Sequence, residues 1–191
     1  MIKKYALENP FMRVEVSNFG ARLVRIYLKD LARNVILGYK NLDDYITDSN
    51  CLGATIGPNS NRIEAGKFTL DGKTYQWDKN DGPNNIHSGA FGLDKVYWDL
   101  EREEENKLVF SIQKDQPFDY QAKVEYLLKG NTLEINIKAS ARETAIFNFT
   151  NHAYFNLNGF EDFTNPSKVY NHELKLYSNK ITPCDDKLIP T

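Results

Sequence analysis

The stretch NFTNHAYFNLNG, which begins at Asn148, carries the residue types of this chain that best suit acid–base chemistry. Its alternation predicts a strand with Phe147 and Phe149 on one face and with Asn148, Thr150 and His152 on the other, because side chains two residues apart lie on the same side. An ordinary solvent face would carry Lys and Glu. Neutral hydrogen-bonding groups around one titratable imidazole indicate a site that binds a neutral, hydroxyl-rich molecule and moves protons on it.

Two further histidines complete the set of three. His87 lies in NDGPNNIHSGAFG, residues 80–92, where Gly and Pro shape a tight loop and Asn84 and Asn85 tolerate unusual dihedral angles. A loop histidine taken alone is more often solvated than functional, and His172 is interpreted as a surface residue. His152 itself could be a hydrogen-bonded structural residue, but its uncharged surroundings favour a functional role.

Asn61 and Arg62 lie just before a predicted strand in IGPNSNRIEAGKF. Arginine offers a planar fork of donors that can bind two oxygens at once. On these residues alone, a salt bridge across the loop is the better interpretation of Arg62. Three aromatic residues could stack on a sugar ring, although core packing is favoured for each: Trp77, Phe91 and Trp98.

Composition and missing motifs exclude several classes of function. The net charge is −2, so we expect neither nucleic acid nor an anionic membrane as a partner. No run approaches the roughly 20 apolar residues of a membrane span, and the N-terminus does not resemble a secretory signal. Phosphate-loop, metal-ligand and nucleophile-elbow patterns are missing, so we expect no cofactor and no metal.

Cys51 and Cys184 are interpreted as free thiols in a reducing cytoplasm. Adjacent acidic pairs at Asp43 and Asp185 are interpreted as turn or capping residues.

Period-two alternation runs through most of the chain and predicts an all-β protein, a mostly antiparallel sandwich or barrel, as one domain over residues 1–191. One hairpin pairs residues 120–128 with 133–139, and another spans Gly66 to Trp77 around an Asp-Gly turn. A short helical turn capped by Asn41 is the best helical candidate. Long irregular stretches, residues 51–63 and 80–92, are of a size that is often functional. Further strands are predicted at Arg13–Val16, Arg22–Leu28, Val96–Glu101, Leu108–Gln113 and Glu173–Tyr177.

Several long motifs in order together resemble the aldose 1-epimerase (galactose mutarotase) family along the whole chain. The motifs are FGARLVRI, NVILGYKNLDDYITD, GATIGPNSNRIEAGKFTLDGKTYQW, NDGPNNIHSGAFGLDKVYW, FNFTNHAYFNLNG and ITPCDDKLIPT. The resemblance implies a large antiparallel β-sandwich, the galactose mutarotase-like supersandwich, with a sugar cleft. It also implies cofactor-free interconversion of the α and β anomers of hexoses such as galactose and glucose.

Functional residues carry over from the family by motif. His152 matches the proton donor to the sugar ring oxygen, and Ala153 and Tyr154 share its sugar-contacting motif. His87 matches the second active-site histidine, and Asn61 with Arg62 matches a substrate-binding pair. A histidine, whose ordinary pKa is about 6.5, can deliver a proton at neutral pH.

The resemblance also implies a missing part. Family chains are considerably longer, and their catalytic base is a Glu from the later part, which also supplies a sugar-binding Asp; no residue of this sequence matches either. We therefore expect an N-terminal portion of the family sandwich that is inactive by itself. Two alternatives remain open at this point: a non-catalytic sugar-binding or regulatory module on the same fold, and an epimerase of hexose phosphates, which is disfavoured because Arg62 is the one cation near the predicted site. The oligomeric state is left undetermined.

Overall fold

The computed structural model describes residues 1–164 and 168–191, and within these the chain is built almost entirely from β-strands. Its described part contains no α-helix, and its three short 3₁₀-helices span Leu42–Ile46, Glu64–Gly66 and Gly89–Phe91. None of these helices has the length or apolarity to cross a membrane. The strands in chain order are β1 (Lys4–Glu8), β2 (Met12–Ser17), β3 (Arg22–Leu28), β4 (Arg33–Asn34), β5 (Thr55–Ile56), β6 (Arg62–Ile63), β7 (Lys67–Leu70), β8 (Lys73–Gln76), β9 (Asn85–Ile86), β10 (Asp99–Glu104), β11 (Lys107–Lys114), β12 (Tyr120–Lys129), β13 (Thr132–Ala141) and β14 (Thr150–Asn151).

Two four-stranded antiparallel sheets form the body of the structure, in the orders β1-β2-β3-β4 and β10-β11-β12-β13. Three two-stranded ladders, β5-β14, β6-β9 and β7-β8, are also antiparallel. The predicted all-β, mostly antiparallel class is therefore confirmed. The short ladders matter for function, because two of them hold the loops that carry the candidate histidines.

The two large sheets share one apolar core. Val14 of β2 and Val124 of β12 are fully buried in the same cluster, as are Trp77 and Trp98 at 3% and 1% exposure. Both tryptophans are thus core residues, as predicted. Burial of side chains of this size contributes about 1.5–3 kcal/mol each. That residues 1–191 form a single domain stays a prediction.

The predicted hairpins are confirmed. In β12 every second side chain is buried, and β13 pairs with it across a turn at Gly130 and Asn131. The β7-β8 turn places Asp71 and Gly72 at positive φ angles of 49° and 76°, the conformation that a two-residue hairpin turn requires. The strands predicted at 13–16, 22–28 and 108–113 lie within or coincide with β2, β3 and β11.

Two predicted strands differ from the structure. The strand expected at Val96–Glu101 begins at Asp99, because Val96 and Trp98 bond to the backbone of Gly20 and Asn18 instead. The stretch 173–177 is not a strand, and its side chains are exposed. A strand needs a neighbour for its backbone groups, and no described residue pairs with these.

Smaller predictions are confirmed. Asn41 is extended at the start of the first 3₁₀-helix, and its side chain accepts a hydrogen bond from the Asp43 amide at 3.3 Å. Asp185 accepts from the amides of Lys187 and Ile189, both at 2.9 Å, as a turn residue does. The two cysteines are free thiols.

Arg22, at the start of β3, is a fully buried cation. Its guanidinium forms an ion pair with buried Asp48 at 3.2 Å and donates to the carbonyls of Phe19, Leu52 and Asp94 at 2.9, 3.1 and 2.7 Å. Burial of a charge is tolerated only when it is paired and hydrogen-bonded, and here each donor nitrogen has a partner. The network joins β3 to two loops that are distant in sequence.

Replacing Arg22 by Met should lower the free energy of unfolding by about 3–5 kcal/mol, because it leaves the Asp48 carboxylate buried without a counter-charge. The matched control is Arg142→Met, which breaks an exposed ion pair to Asp119 of the same 3.2 Å length and should cost at most ~1 kcal/mol. Urea denaturation followed by circular dichroism measures both. Equal losses would contradict the role assigned to Arg22.

Candidate active site

His152 is positioned by the short β5-β14 ladder. Its amide donates to the Ala54 carbonyl at 2.8 Å, and its carbonyl accepts from the Gly53 amide at 3.0 Å. These two bonds extend the ladder by one residue and fix the histidine backbone. Within the described chain no group hydrogen-bonds the His152 ring, so its nitrogens are available to a ligand.

The side chains predicted to share one polar face with His152 do not lie together in the structure. Asn148 donates its side-chain amide to the Ser60 carbonyl at 3.3 Å, a bond between two loops. His152 lines a cleft with Tyr154, but Asn148 and Thr150 do not. The strand β14 covers only Thr150 and Asn151 of this segment, so strict alternation does not extend across it.

His87 is positioned by the β6-β9 ladder, which pairs Arg62 with Ile86. The His87 amide donates to the Asn61 carbonyl at 3.1 Å, and the Asn61 amide donates to His87 Nδ1 at 3.0 Å. Because Nδ1 accepts this bond, the neutral ring carries its proton on Nε2. The φ angle of His87 is 53°, in the left-handed region, so the ladder and loop hold the residue in an uncommon backbone conformation.

The two histidines, 65 positions apart in sequence, meet in one cleft. Their ring centroids are 5.2 Å apart in an edge-to-face arrangement, and the His152 ring is 5.1 Å from that of Tyr154. The cleft has a volume of about 670 Å³, within the range of small-molecule sites. Its other polar borders are three neutral and three charged residues: Ser49, Asn50, Asn80, Asp81, Asp94 and Lys95.

The remaining predicted site residues lie beside the cleft. Arg62 Nε is 2.6 Å from Asp81 Oδ2, and the Arg62 side chain is only 18% exposed, so the salt bridge favoured from these residues alone is present. Asn61 touches the site through its backbone bonds to His87. The side chain of Ala153 packs against the core. Their roles with a ligand stay predictions.

His172 does not take part in the cleft. Its Nε2 accepts from the Leu157 amide and its Nδ1 lies against the Val169 carbonyl, both at 2.8 Å. Both ring nitrogens are therefore used in local structure, and the residue is partly exposed, which agrees with its interpretation as a surface residue. Phe91 packs edge-on against Trp77.

Asp94 and Cys51 border the cleft but were not predicted from the sequence. The Cys51 thiol lies 3.7 Å from Asp94 Oδ2, and burial raises the pKa of the thiol to about 12. Cys51 therefore stays protonated at neutral pH and is unsuited to act as a nucleophile. The sequence feature that could have indicated Cys51 as a site residue is its place at the start of the irregular stretch 51–63. Within the described residues, no cluster of three or more His, Cys, Asp or Glu side chains could hold a metal ion.

Burial governs the charge state of His87. Desolvation lowers its pKa, and the neighbouring His152 acts in the same direction, while Asp94 and Asp81 oppose them. The Asn61 amide, which donates to Nδ1, further disfavours a second ring proton. His87 is thus a neutral hydrogen-bond donor at neutral pH.

The lowered pKa of His87 predicts a loss of stability in mild acid. Below about pH 6.5 the unfolded chain takes up a proton at this residue more readily than the folded chain does, so the free energy of unfolding falls as the pH falls. Urea denaturation at pH 7.5 and pH 5.5 should show a smaller fall for His87→Asn, a variant that tolerates the left-handed backbone. Ser60→Ala, which removes no titratable group, is the control and should keep the wild-type fall. The same pH dependence in His87→Asn and wild type would contradict the assignment.

Comparisons with known proteins find similar sequences along the whole chain. The model of the aldose 1-epimerase family matches residues 3–191. Galactose mutarotase of Sus scrofa is 35% identical over 198 residues, which cover 100% of this chain and 56% of the relative, and aldose 1-epimerase of Escherichia coli is 32% identical over 95% of this chain and 54% of the relative. The chain spans about half the length of the curated relatives it matches.

Solved structures give the same fold. An aldose epimerase homologue from C. elegans superimposes with a TM-score of 0.92 at 27% identity, over 100% of this chain and 60% of that one. A galactose 1-epimerase from Lactobacillus acidophilus gives a TM-score of 0.71 at 30% identity, over 82% of this chain and 53% of that one. The predicted galactose mutarotase-like fold is therefore confirmed.

Proposed function

Because the chain belongs to the aldose 1-epimerase family, we propose that it binds a free hexose such as galactose or glucose and supplies the acid side of anomer interconversion. The observation that carries this proposal is the pair of imidazoles, with ring centroids 5.2 Å apart, in a cleft whose other borders combine uncharged polar groups with Asp81, Asp94 and Lys95. A neutral, hydroxyl-rich ligand matches such a lining, because each hydroxyl can donate and accept.

In the proposed reaction His152 gives a proton to the sugar ring oxygen as the bond from that oxygen to the anomeric carbon breaks. A base takes the proton of the anomeric hydroxyl, which becomes the carbonyl of the open aldehyde. Rotation about the adjacent carbon–carbon bond and reversal of both proton transfers then give the other anomer. A positioned acid of this kind contributes typically about 10²–10⁴-fold in rate.

His87, as a neutral donor through Nε2–H, binds a sugar oxygen and polarises it in this proposal. Tyr154 flanks His152, and Ala153 is the residue that joins them in the chain. Arg62 and Asn61 support the sugar from the β6 side. The family resemblance assigns the base to a Glu that has no counterpart in this sequence, so the proposal gives these residues one half of the mechanism.

A free sugar suits the cleft better than a hexose phosphate. The Arg62 guanidinium is already paired with Asp81 at 2.6 Å, and Lys95 is the other Lys or Arg at the border. Asp81 is neutralised by the same ion pair, which leaves Asp94 as the carboxylate that would repel a phosphate dianion. Both cysteines are free thiols, which supports a reducing, cytoplasmic location.

Sugar binding is testable by NMR, since the chain has only three histidines. Galactose should shift the imidazole signals of His87 and His152 saturably but not that of His172, and galactitol, which lacks a ring oxygen, should do so more weakly. His152→Ala should weaken binding by up to about tenfold, the value of one hydrogen bond, while His172→Ala keeps wild-type affinity. No response of either cleft histidine to any hexose or hexose phosphate would contradict the proposed site.

Catalysis is testable by polarimetry on freshly dissolved α-glucose. The 191-residue chain should accelerate mutarotation little or not at all, because one of two proton-transfer groups is missing, with a full-length curated relative assayed in parallel. A rate near that of the relative would contradict the need for a Glu outside these motifs. A measurable rate that is unchanged in His152→Ala would exclude His152 as the acid.

A further inference from the structure

Two side chains close to His87 act as clamps, because each binds both backbone polar groups of another residue. Before it, the Asn80 side chain accepts from the Ile86 amide at 2.8 Å and donates to the Ile86 carbonyl at 2.9 Å. After it, the Ser88 hydroxyl accepts from the Asn59 amide and donates to the Asn59 carbonyl, both at 2.9 Å. Each clamp satisfies both backbone groups of its partner residue, as a strand neighbour would.

Both clamps hold residues next to the hydrogen bond from the Asn61 amide to His87 Nδ1, which selects the tautomer. Ser88 holds Asn59, two residues before Asn61, and Asn80 holds Ile86, the residue before His87. Between them lie the two bonds that join Asn61 to His87, one of which ends on the imidazole Nδ1. The backbone alone does not favour this arrangement, because Asn61, His87 and Ser88 have positive φ angles of 64°, 53° and 67°.

We propose that Asn80 and Ser88 are positioning residues that hold His87 as the Nε2–H tautomer by fixing the Asn61 amide against Nδ1. Without the clamps the loops can relax from their uncommon dihedral angles, the Asn61 amide leaves Nδ1, and the proton is shared between the two ring nitrogens. The clamps therefore keep a hydrogen-bond donor, rather than an acceptor, available to a ligand at His87. That last consequence rests on the proposed function, whereas the tautomer does not.

The tautomer is measured on the 191-residue chain without ligand by long-range ¹H–¹⁵N correlation at pH 7.5. We expect wild-type His87 to be a single Nε2–H tautomer. Asn80→Ala and Ser88→Ala should each give a mixture of tautomers and about tenfold faster hydrogen exchange at the Asn61 amide, the effect of losing one hydrogen bond. A role confined to stability would not move the tautomer.

Matched controls are Asn106→Ala and Ser60→Ala, because neither side chain has a hydrogen bond to the described residues. Both should keep the wild-type tautomer. Unchanged signals from the β12-β13 hairpin show that each variant is folded. A wild-type ring protonated on Nδ1 would overturn the proposal, even if every variant unfolded, and so would clamp variants that keep a pure Nε2–H tautomer. Failure of sugar binding with the tautomer shift present would count against the proposed function alone.

Discussion

The Arg22 guanidinium, fully withdrawn from solvent, is the constraint on which the site depends. It connects the start of β3 to Asp48 and to the carbonyls of Leu52 and Asp94. The residue that follows Leu52 is Gly53, whose amide holds the His152 carbonyl. Asp94 itself borders the cleft. One buried cation therefore links the core sheet to both sides of the candidate site.

The candidate site is built on short ladders rather than on the large sheets. Each histidine adjoins a strand of two residues, β9 for His87 and β14 for His152. Such strands cannot be stable alone, so the loops rely on side-chain bonds to backbone groups, as at Asn80 and Ser88. The uncommon backbone angles of this region are kept because these bonds over-determine them.

The charges of the cleft are arranged to leave it nearly neutral. Arg62 is paired with Asp81, and His87 is kept neutral by burial and by the Asn61 amide. The groups left to meet a ligand are imidazoles, amides and hydroxyls, together with Asp94 and Lys95, whose charges are opposite. This pattern fits the proposed recognition of an uncharged sugar, in which specificity comes from hydrogen-bond geometry and not from net charge.

The sequence by itself determined the strands β2, β3 and β11–β13, the hairpin turns and the cap at Asn41, because alternation, Asp-Gly turns and side-chain caps are local properties of a few neighbouring residues. It also identified both histidines as candidates and, through the order of motifs, the family. The tertiary structure decided which distant residues meet: His87 with His152, Arg62 with Asp81, and Arg22 with Asp48. It also decided that residues 96–98 bond to the Asn18–Gly20 loop and that 173–177 is not a strand, because pairing depends on which neighbours are available. Such contacts follow from the packing of whole sheets, and no local spacing encodes them.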